Sequence, residues 1–190
     1  MASRATTLAE LRAHLAAVAP MRTGTPPTST GWGELDAAIG GWPRPGVAAI
    51  YGAVGTGRMG VILPSLQHHT QAGRTVALVD PLGWCHPPGL PGVDLRHLML
   101  IRCGGPQAGW AAIQLAASGA VPLVVLLDPP PLAGDARRLL CATESGDSTA
   151  IVLTERPDAR LTTPVRIHTL GGGQVRIERG APGQPSFTLS

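Results

Sequence analysis

The sequence contains no lysine, few aromatic residues and little cysteine. All 15 basic residues are Arg, and the aromatic residues are four Trp, one Tyr and one Phe. A hydrophobic core therefore has to be built from Leu, Val, Ile and Ala, and a hydrophobic content of 44% makes such a core possible. This composition excludes a disordered chain, and 190 residues fit one domain of ordinary size.

The low cysteine content and the lack of long apolar runs indicate in which cellular compartment the protein works. Cys85, Cys103 and Cys141 are few and odd in number, which argues against a disulfide framework and for a reducing cytosol. No apolar run approaches the ~18 residues that span a membrane, and the N-terminus does not have the pattern of a secretion signal. We therefore predict a cytoplasmic protein with no membrane partner.

The charge balance gives little support for nucleic-acid binding. The formal net charge is +3, and the basic residues are spread over both halves of the chain. Proteins that bind nucleic acid by themselves usually concentrate positive charge in one stripe or patch. We therefore expect DNA binding to be weak or indirect.

Residues 1–27 are predicted to be an N-terminal helix followed by a linker. Within residues 7–18, four apolar side chains recur at helical spacing and form one face: Leu8, Leu11, Leu15 and Val18. Pro20 and the Gly-Pro-rich residues 24–27 then break the helix. This helix either packs on its own core or binds a partner or a neighbouring copy, and the four apolar residues are our candidates for partner binding.

The rest of the chain alternates predicted strands and helices, which indicates a parallel sheet with helices on both faces. Strands are predicted at 47–51, 75–79, 98–101, 123–127 and 150–153. Helices are predicted at 57–72, where Pro64 should kink the helix or mark its start, and at 107–118 and 133–143. Alternating residues on either side of Gly171–Gly173 predict a β-hairpin within residues 164–190.

A glycine-rich segment, Gly52–Met59, lies where a phosphate-binding loop is expected, between a strand and a helix. Gly52, Gly55 and Gly57 have the spacing of a Walker A loop, but Arg58 and Met59 replace its Lys and its Ser or Thr. Arg58 keeps the positive charge with a bulkier side chain. The Met59 thioether is a poor ligand for Mg²⁺, which prefers oxygen.

With this motif the chain resembles the RecA-like recombinases and, among them, the ImuA family of mutagenesis-associated proteins. The resemblance begins with Ser29–Gly46, which leads into the first strand and the loop. Residues 73–80 resemble the second strand of the family, residues 92–95 its following turn, and residues 118–128 its Walker B strand. It covers about residues 28–155 and implies an α/β RecA-like core over residues 28–190, with the hairpin at the C-terminal end.

Compared with an active recombinase, several positions depart from the pattern. Leu82 aligns with the glutamate that activates water, and Asp128 keeps the Walker B aspartate but is followed by Pro129–Pro131. Asp128 could equally cap a turn at the end of a buried strand. We therefore assign no catalytic residue, expect no ATP hydrolysis and expect neither ATP nor Mg²⁺ as a cofactor. The intervals after residues 127 and 153 are also too short for a mobile DNA loop with its supporting helix.

Other candidate sites are weaker. The dipeptides His68-His69 and Cys85-His86 lack partners at metal-ligand spacing, so packing or a surface role is favoured over a metal site. Several arginines could form a basic patch, although a solvated face is the more ordinary interpretation: Arg137, Arg138, Arg166, Arg176 and Arg179. No nucleophile with a base is recognisable.

The resemblance implies a non-catalytic adaptor in damage-induced mutagenesis and translesion synthesis. Its expected partners are an ImuB-type homologue of Y-family polymerases, RecA and, indirectly, an error-prone replicative-type polymerase, through which it would associate with the nucleoid. Three alternatives stay open. They are a nucleotide switch that still binds ATP through Arg58 and Asp128, a SulA-like inhibitor of cell division that binds FtsZ, and a binder of single-stranded DNA.

Overall fold

The computed structural model describes residues 25–183 and 185–189, which form one eight-stranded sheet with helices on both faces. The strands are β1 (Gly46–Tyr51), β2 (Val76–Val79), β3 (Leu98–Ile101), β4 (Leu123–Leu127), β5 (Thr149–Thr154), β6 (Val165–Gly171), β7 (Gln174–Arg179) and β8 (Ser186–Thr188). The α-helices are α1 (Gly33–Ile39), α2 (Arg58–Gln71), α3 (Gly105–Ala117) and α4 (Asp135–Gly146), and short 3₁₀ turns cover Pro87–Gly89 and Leu95–His97. The predicted helix at residues 7–18 lies outside the described residues.

The sheet is parallel from β3 to β6 and antiparallel from β6 to β8. Its strand order is β3-β2-β4-β5-β1-β6-β7-β8, so β1 is hydrogen-bonded to β5 on one side and to β6 on the other. The hairpin of β6 and β7 extends the sheet, and β8 pairs with β7 as the edge strand. The predicted α/β class, with a parallel sheet and a C-terminal hairpin, is confirmed.

Two apolar layers hold the sheet between the helices. Alternate residues of β1 point to opposite faces, so Ala48 and Ile50 join one layer while Val47 and Ala49 join the other. The first layer packs α1 and α2 against the sheet and continues to the hairpin, where it includes Ile167 and Ile177. Helices α3 and α4 form the second layer, which ends at β1 on the hairpin side.

The segment before β1 is bound to α2 by two tryptophans. The indole of Trp32 donates a hydrogen bond to the carbonyl of Val61 at 3.0 Å, and the fully buried indole of Trp42 donates to Ser65 Oγ at 2.8 Å. The Ser65 hydroxyl in turn donates to the carbonyl of Thr30 at 2.7 Å. These bonds satisfy polar groups inside the core and attach the lead-in segment to the helix that follows the glycine-rich loop.

Pro64 lies inside α2 and not at its start, so the helix continues through a residue that cannot donate to the preceding turn. Gly31 packs so closely on Pro64 that a Cβ at residue 31 would collide with it, and Gly31 has a positive φ of 83°. Helix α1 was not predicted, because a seven-residue helix gives too short a periodic pattern. The strands predicted at 98–101 and 123–127 match the structure at both ends, and the other helix and strand boundaries differ from the predicted ones by at most three residues.

No helix within the described ranges is both long enough and apolar enough to cross a membrane.

His69 lies near the C-terminal end of α2, and its imidazole is buried. Its side chain is fully inaccessible, and neither ring nitrogen has a hydrogen-bond partner among the described residues. Burial lowers the pKa of His69 to about 4, and the nearby positive groups of Arg74, His68 and Arg44 act in the same direction. The folded protein therefore holds His69 neutral at physiological pH.

We predict that this histidine makes the protein sensitive to acid. In the unfolded chain His69 binds a proton below about pH 6.5, whereas in the folded chain it does so only below about pH 4. The free energy of unfolding should therefore fall as pH decreases from 6.5 to 4, by at most about 3 kcal/mol. Urea unfolding across this range should show the loss, and His69→Leu should remove it. His68→Leu, at the exposed neighbouring histidine, is the control; an equal effect of both substitutions would contradict the prediction.

Candidate functional site

The glycine-rich loop between β1 and α2 packs against β6. Thr56 Oγ1 donates to the carbonyl of Ala53 at 2.7 Å and lies 2.7 Å from Thr169 Oγ1. Gly52 faces the same threonine, and a Cβ at residue 52 would overlap the Thr169 side chain. Glycine is therefore required at Gly52 by this close approach, and the loop is held in place by the hairpin strand.

Arg58, at the first position of α2, forms an ion pair with Asp128 at the end of β4. One guanidinium nitrogen contacts Asp128 Oδ1, and the other donates to Asp128 Oδ2 at 3.0 Å, so the pair is bidentate. Both side chains are largely buried. The resemblance to RecA-like recombinases implies that these two positions would hold phosphate and Mg²⁺, whereas here the two charges pair with each other.

Asp128 has an unusual backbone conformation. Its φ is 43°, in the left-handed region, and its amide donates to the carbonyl of Leu153 at 2.9 Å. Pro129 follows directly. A non-glycine residue in this region costs on the order of 1 kcal/mol or more, and such residues occur mainly at functional sites. The strand neighbour and the ion pair together fix the carboxylate in the position that faces the loop.

Met59 contributes to the core as well as to the site. Its side chain is partly buried against the first apolar layer, and it also lines the cavity at the loop. A side chain that binds Mg²⁺ at this position would require an oxygen atom, and the Met59 side chain has none.

Asp80 organises the segment that faces the loop from the end of β2. Its buried carboxylate accepts hydrogen bonds from the amides of Cys85 at 2.8 Å and Trp84 at 3.2 Å. The resulting turn presents Leu82 and Trp84 to solvent, and Trp84 is 65% exposed. Burial raises the pKa of the Cys85 thiol, followed in importance by the charge of Asp80. Cys85 is therefore a packing residue and not an activated nucleophile.

These elements surround a cleft at the carboxyl ends of the parallel strands. One cavity of about 500 Å³ is lined mainly by apolar residues from the loop, α2 and the turn after β2, and Arg58 and Asp128 are among its charged lining residues. A second cavity of about 670 Å³ runs along Pro129–Pro131 and residues 154–161. Leu82, Trp84 and Asp128 line both cavities, so the two cavities are neighbours, and we call them together the cleft.

The structure brings most of the predicted loop and strand residues together in this cleft. Those that line it directly are Gly55, Gly57, Arg58, Met59, Leu82 and Asp128, while Gly52 lies behind the loop against β6. The candidate partner-binding residues Leu8, Leu11, Leu15 and Val18 lie outside the described residues. No group of three or more potential metal ligands occurs within the described ranges. His69 is in the core, and His68 is on the surface.

Sequence reasoning missed several residues that shape the cleft. Thr169 fixes the loop, and Val54 exposes apolar surface beside it. Thr169 could have been found as an inward-facing residue of the alternating β6 pattern, but which loop it meets depends on strand register. The four tryptophans, Trp32, Trp42, Trp84 and Trp110, are candidate interface anchors where they are exposed, but the sequence alone does not show which of them is exposed.

No model of a known protein family matches the chain. Among solved structures, the chain is similar to the crystal structure of the RadB recombinase, with a TM-score of 0.67 and 19% sequence identity. The match covers 86% of this chain and 96% of the RadB chain. At this level of identity the similarity establishes the fold, and the chain therefore has a RecA-like fold.

We predict that the Arg58–Asp128 pair is strongly coupled. Asp128→Asn leaves a buried guanidinium without its counter-charge and should lower the free energy of unfolding by about 3 kcal/mol. The double variant Arg58→Met with Asp128→Asn should lose clearly less than the sum of the losses in Arg58→Met and in Asp128→Asn. Urea unfolding of the complete double-mutant cycle measures this coupling.

The exposed pair of Arg138 with Asp135, three residues apart on α4, provides the control for this cycle. Arg138→Ala should change the free energy of unfolding by less than about 1 kcal/mol. Additive losses at Arg58 and Asp128 would show that the two charges do not support each other.

Proposed function

We propose that this protein is a non-catalytic RecA-like adaptor in DNA-damage-induced mutagenesis and translesion synthesis. In this role it binds an ImuB-type polymerase homologue, RecA or both, and its cleft serves as a protein-docking surface. The observation that carries the proposal is the bidentate ion pair between Arg58 and Asp128.

The ion pair argues against nucleotide turnover at the cleft. A Walker A lysine has to reach the β- and γ-phosphates while the Walker B aspartate supports Mg²⁺. In this chain Arg58 and Asp128 form an ion pair with each other, and the Met59 side chain has no hydroxyl that could bind Mg²⁺. The side chains therefore do not fit ATP with Mg²⁺. Leu82 also supplies no carboxylate to activate water.

The exposed apolar side chains around the cleft support a protein-docking role instead. Val54, Leu82 and Trp84 are all exposed around it, although each is large and apolar. Exposed apolar residues that cluster, and tryptophan above all, are typical of interfaces. The partners themselves come from the resemblance to the ImuA family, whose members work beside ImuB and an error-prone replicative-type polymerase.

Titration with a fluorescent ATP analogue, with and without Mg²⁺, tests the loss of nucleotide binding. The natural protein should show no saturable binding up to millimolar nucleotide, and Arg58→Ala should behave identically. Arg58→Lys with Met59→Thr restores the Walker residues and should gain Mg²⁺-dependent binding if they are what is missing. Tight binding by the natural protein that is lost in Arg58→Ala would favour the alternative, an ATP-dependent switch.

Pull-downs with purified ImuB and RecA test the docking role of the cleft. Trp84→Ser should weaken binding about tenfold or more, the loss typical of a buried interface tryptophan. Trp110→Ser is the matched control, because Trp110 on α3 is exposed to a similar extent, 57% against 65%, and lines neither cavity of the cleft. Equal losses in both variants would contradict a specific cleft interface.

A second pair of experiments addresses the N-terminal segment and the alternatives. Deletion of residues 1–20 should reduce binding to RecA or ImuB if the predicted helix at 7–18 takes part, and unchanged binding would remove that helix from the proposal. Filamentous growth on overexpression, together with binding to FtsZ, would instead favour a SulA-like inhibitor of cell division.

A further inference from the structure

One face of the sheet extension is not covered by any described helix. Val165, Ile167 and their neighbours on β7 point into the first apolar layer, so the alternating residues of these strands point to the opposite side. On that side the second layer, formed by α3 and α4, includes no residue of β6, β7 or β8. We call the uncovered surface the hairpin face; it consists of Arg166, His168, Leu170, Arg176, Glu178 and Arg179.

Two arginines lie opposite each other across the two strands of this face, and a third lies opposite a histidine. Arg166 is paired with Arg179 in the strand register, and His168 is paired with Arg176. Like charges placed directly opposite each other in a sheet are unfavourable. The register and the β-bulge between these pairs nevertheless bring all three guanidinium groups to one side of the hairpin.

Backbone carbonyls hold two of these arginines in place. A guanidinium nitrogen of Arg166 donates to the carbonyl of Leu161 at 3.0 Å, and one of Arg179 donates to the carbonyl of Thr163 at 3.2 Å. The Nε atom of Arg166 is buried without a hydrogen-bond partner in the described part of the chain. Two arginines are therefore pre-positioned. Each guanidinium has five N–H donors and uses one of them in its carbonyl contact, so N–H groups other than the buried Nε of Arg166 remain for an acceptor from outside.

The single carboxylate on this face is already engaged. Glu178 accepts a short hydrogen bond from the Tyr51 hydroxyl, and the Tyr51 ring stacks on His168 with ring centroids 4.4 Å apart. No other acidic residue occurs between positions 165 and 189. Three arginines against one occupied glutamate leave the hairpin face positively charged.

We infer that the hairpin face binds an acidic segment of a partner protein. Guanidinium forks match carboxylates in bidentate geometry, and Leu170, which is 40% exposed, offers an apolar contact at the end of the face. This inference rests on the proposed adaptor function in that it gives the chemistry of one partner segment, and it concerns a surface on β6 and β7, apart from the cleft.

An acidic peptide fits this face better than single-stranded nucleic acid does. Single-stranded nucleic acid is held by a positively charged groove together with free aromatic rings on which its bases stack. Tyr51 is only 8% exposed and is already stacked on His168, and Phe187 packs against the first apolar layer on the other side. The hairpin face therefore offers charge without a free stacking platform.

Fluorescence anisotropy with a labelled peptide of alternating Glu and Leu residues tests the inference on the full chain. Binding should be saturable and should weaken at least about tenfold in Arg176→Glu with Arg179→Glu. The control is Arg96→Glu with Arg138→Glu, which changes the net charge equally at two exposed arginines outside the hairpin. This control should retain binding. Labelled oligothymidine is measured in parallel.

A charge-swap experiment guards against loss of folding. The Arg176→Glu/Arg179→Glu variant should gain affinity for a matching peptide of alternating Lys and Leu residues, which an unfolded chain would not do selectively. The inference is overturned if the acidic peptide does not bind, if both double variants weaken it equally, or if oligothymidine binds more tightly at the same residues. Failure here with intact Trp84-dependent pull-downs would remove only the hairpin face, whereas the reverse result would remove only the cleft.

Discussion

The bidentate ion pair between Arg58 and Asp128 determines the shape of the cleft. It joins the first turn of α2 to the residue that follows β4, 70 positions further along the chain. Because both partners are largely buried, either charge alone would be costly, and the pair constrains the loop and the strand end together. The apolar side chains of Leu82, Trp84 and Val54 line the same cavity as this ion pair.

Because the chain contains no lysine, the positive partner of this pair is an arginine, and its guanidinium makes the pair bidentate. A lysine at residue 58 would carry a compact, mobile ammonium, whereas arginine presents a planar fork that matches a carboxylate in two places. The same property recurs on the hairpin face, where guanidinium groups are held by backbone carbonyls. A chain that uses only arginine for positive charge thus gains geometric definition where a lysine chain would keep a flexible charge.

Much of the architecture was predictable because hydrophobic patterns are local. The buried runs of β1, β4 and β5 and the alternation of β6 and β7 gave the α/β class and the hairpin directly. The glycine spacing also located the loop. What local patterns could not supply was pairing over long sequence distances: Arg58 with Asp128, Thr56 with Thr169 and Tyr51 with Glu178. These contacts depend on strand order and register, which composition does not encode in any short window.

The contact of Gly52 and Thr56 with Thr169 has a consequence for conformational entropy. Glycine-rich loops lose much freedom when they become ordered, and a ligand that orders such a loop bears that cost in its affinity. Here a residue of β6 has already fixed the loop before any ligand arrives. A partner that enters the cleft therefore meets a rigid wall, and its binding should be governed by shape and desolvation with little induced ordering of the loop.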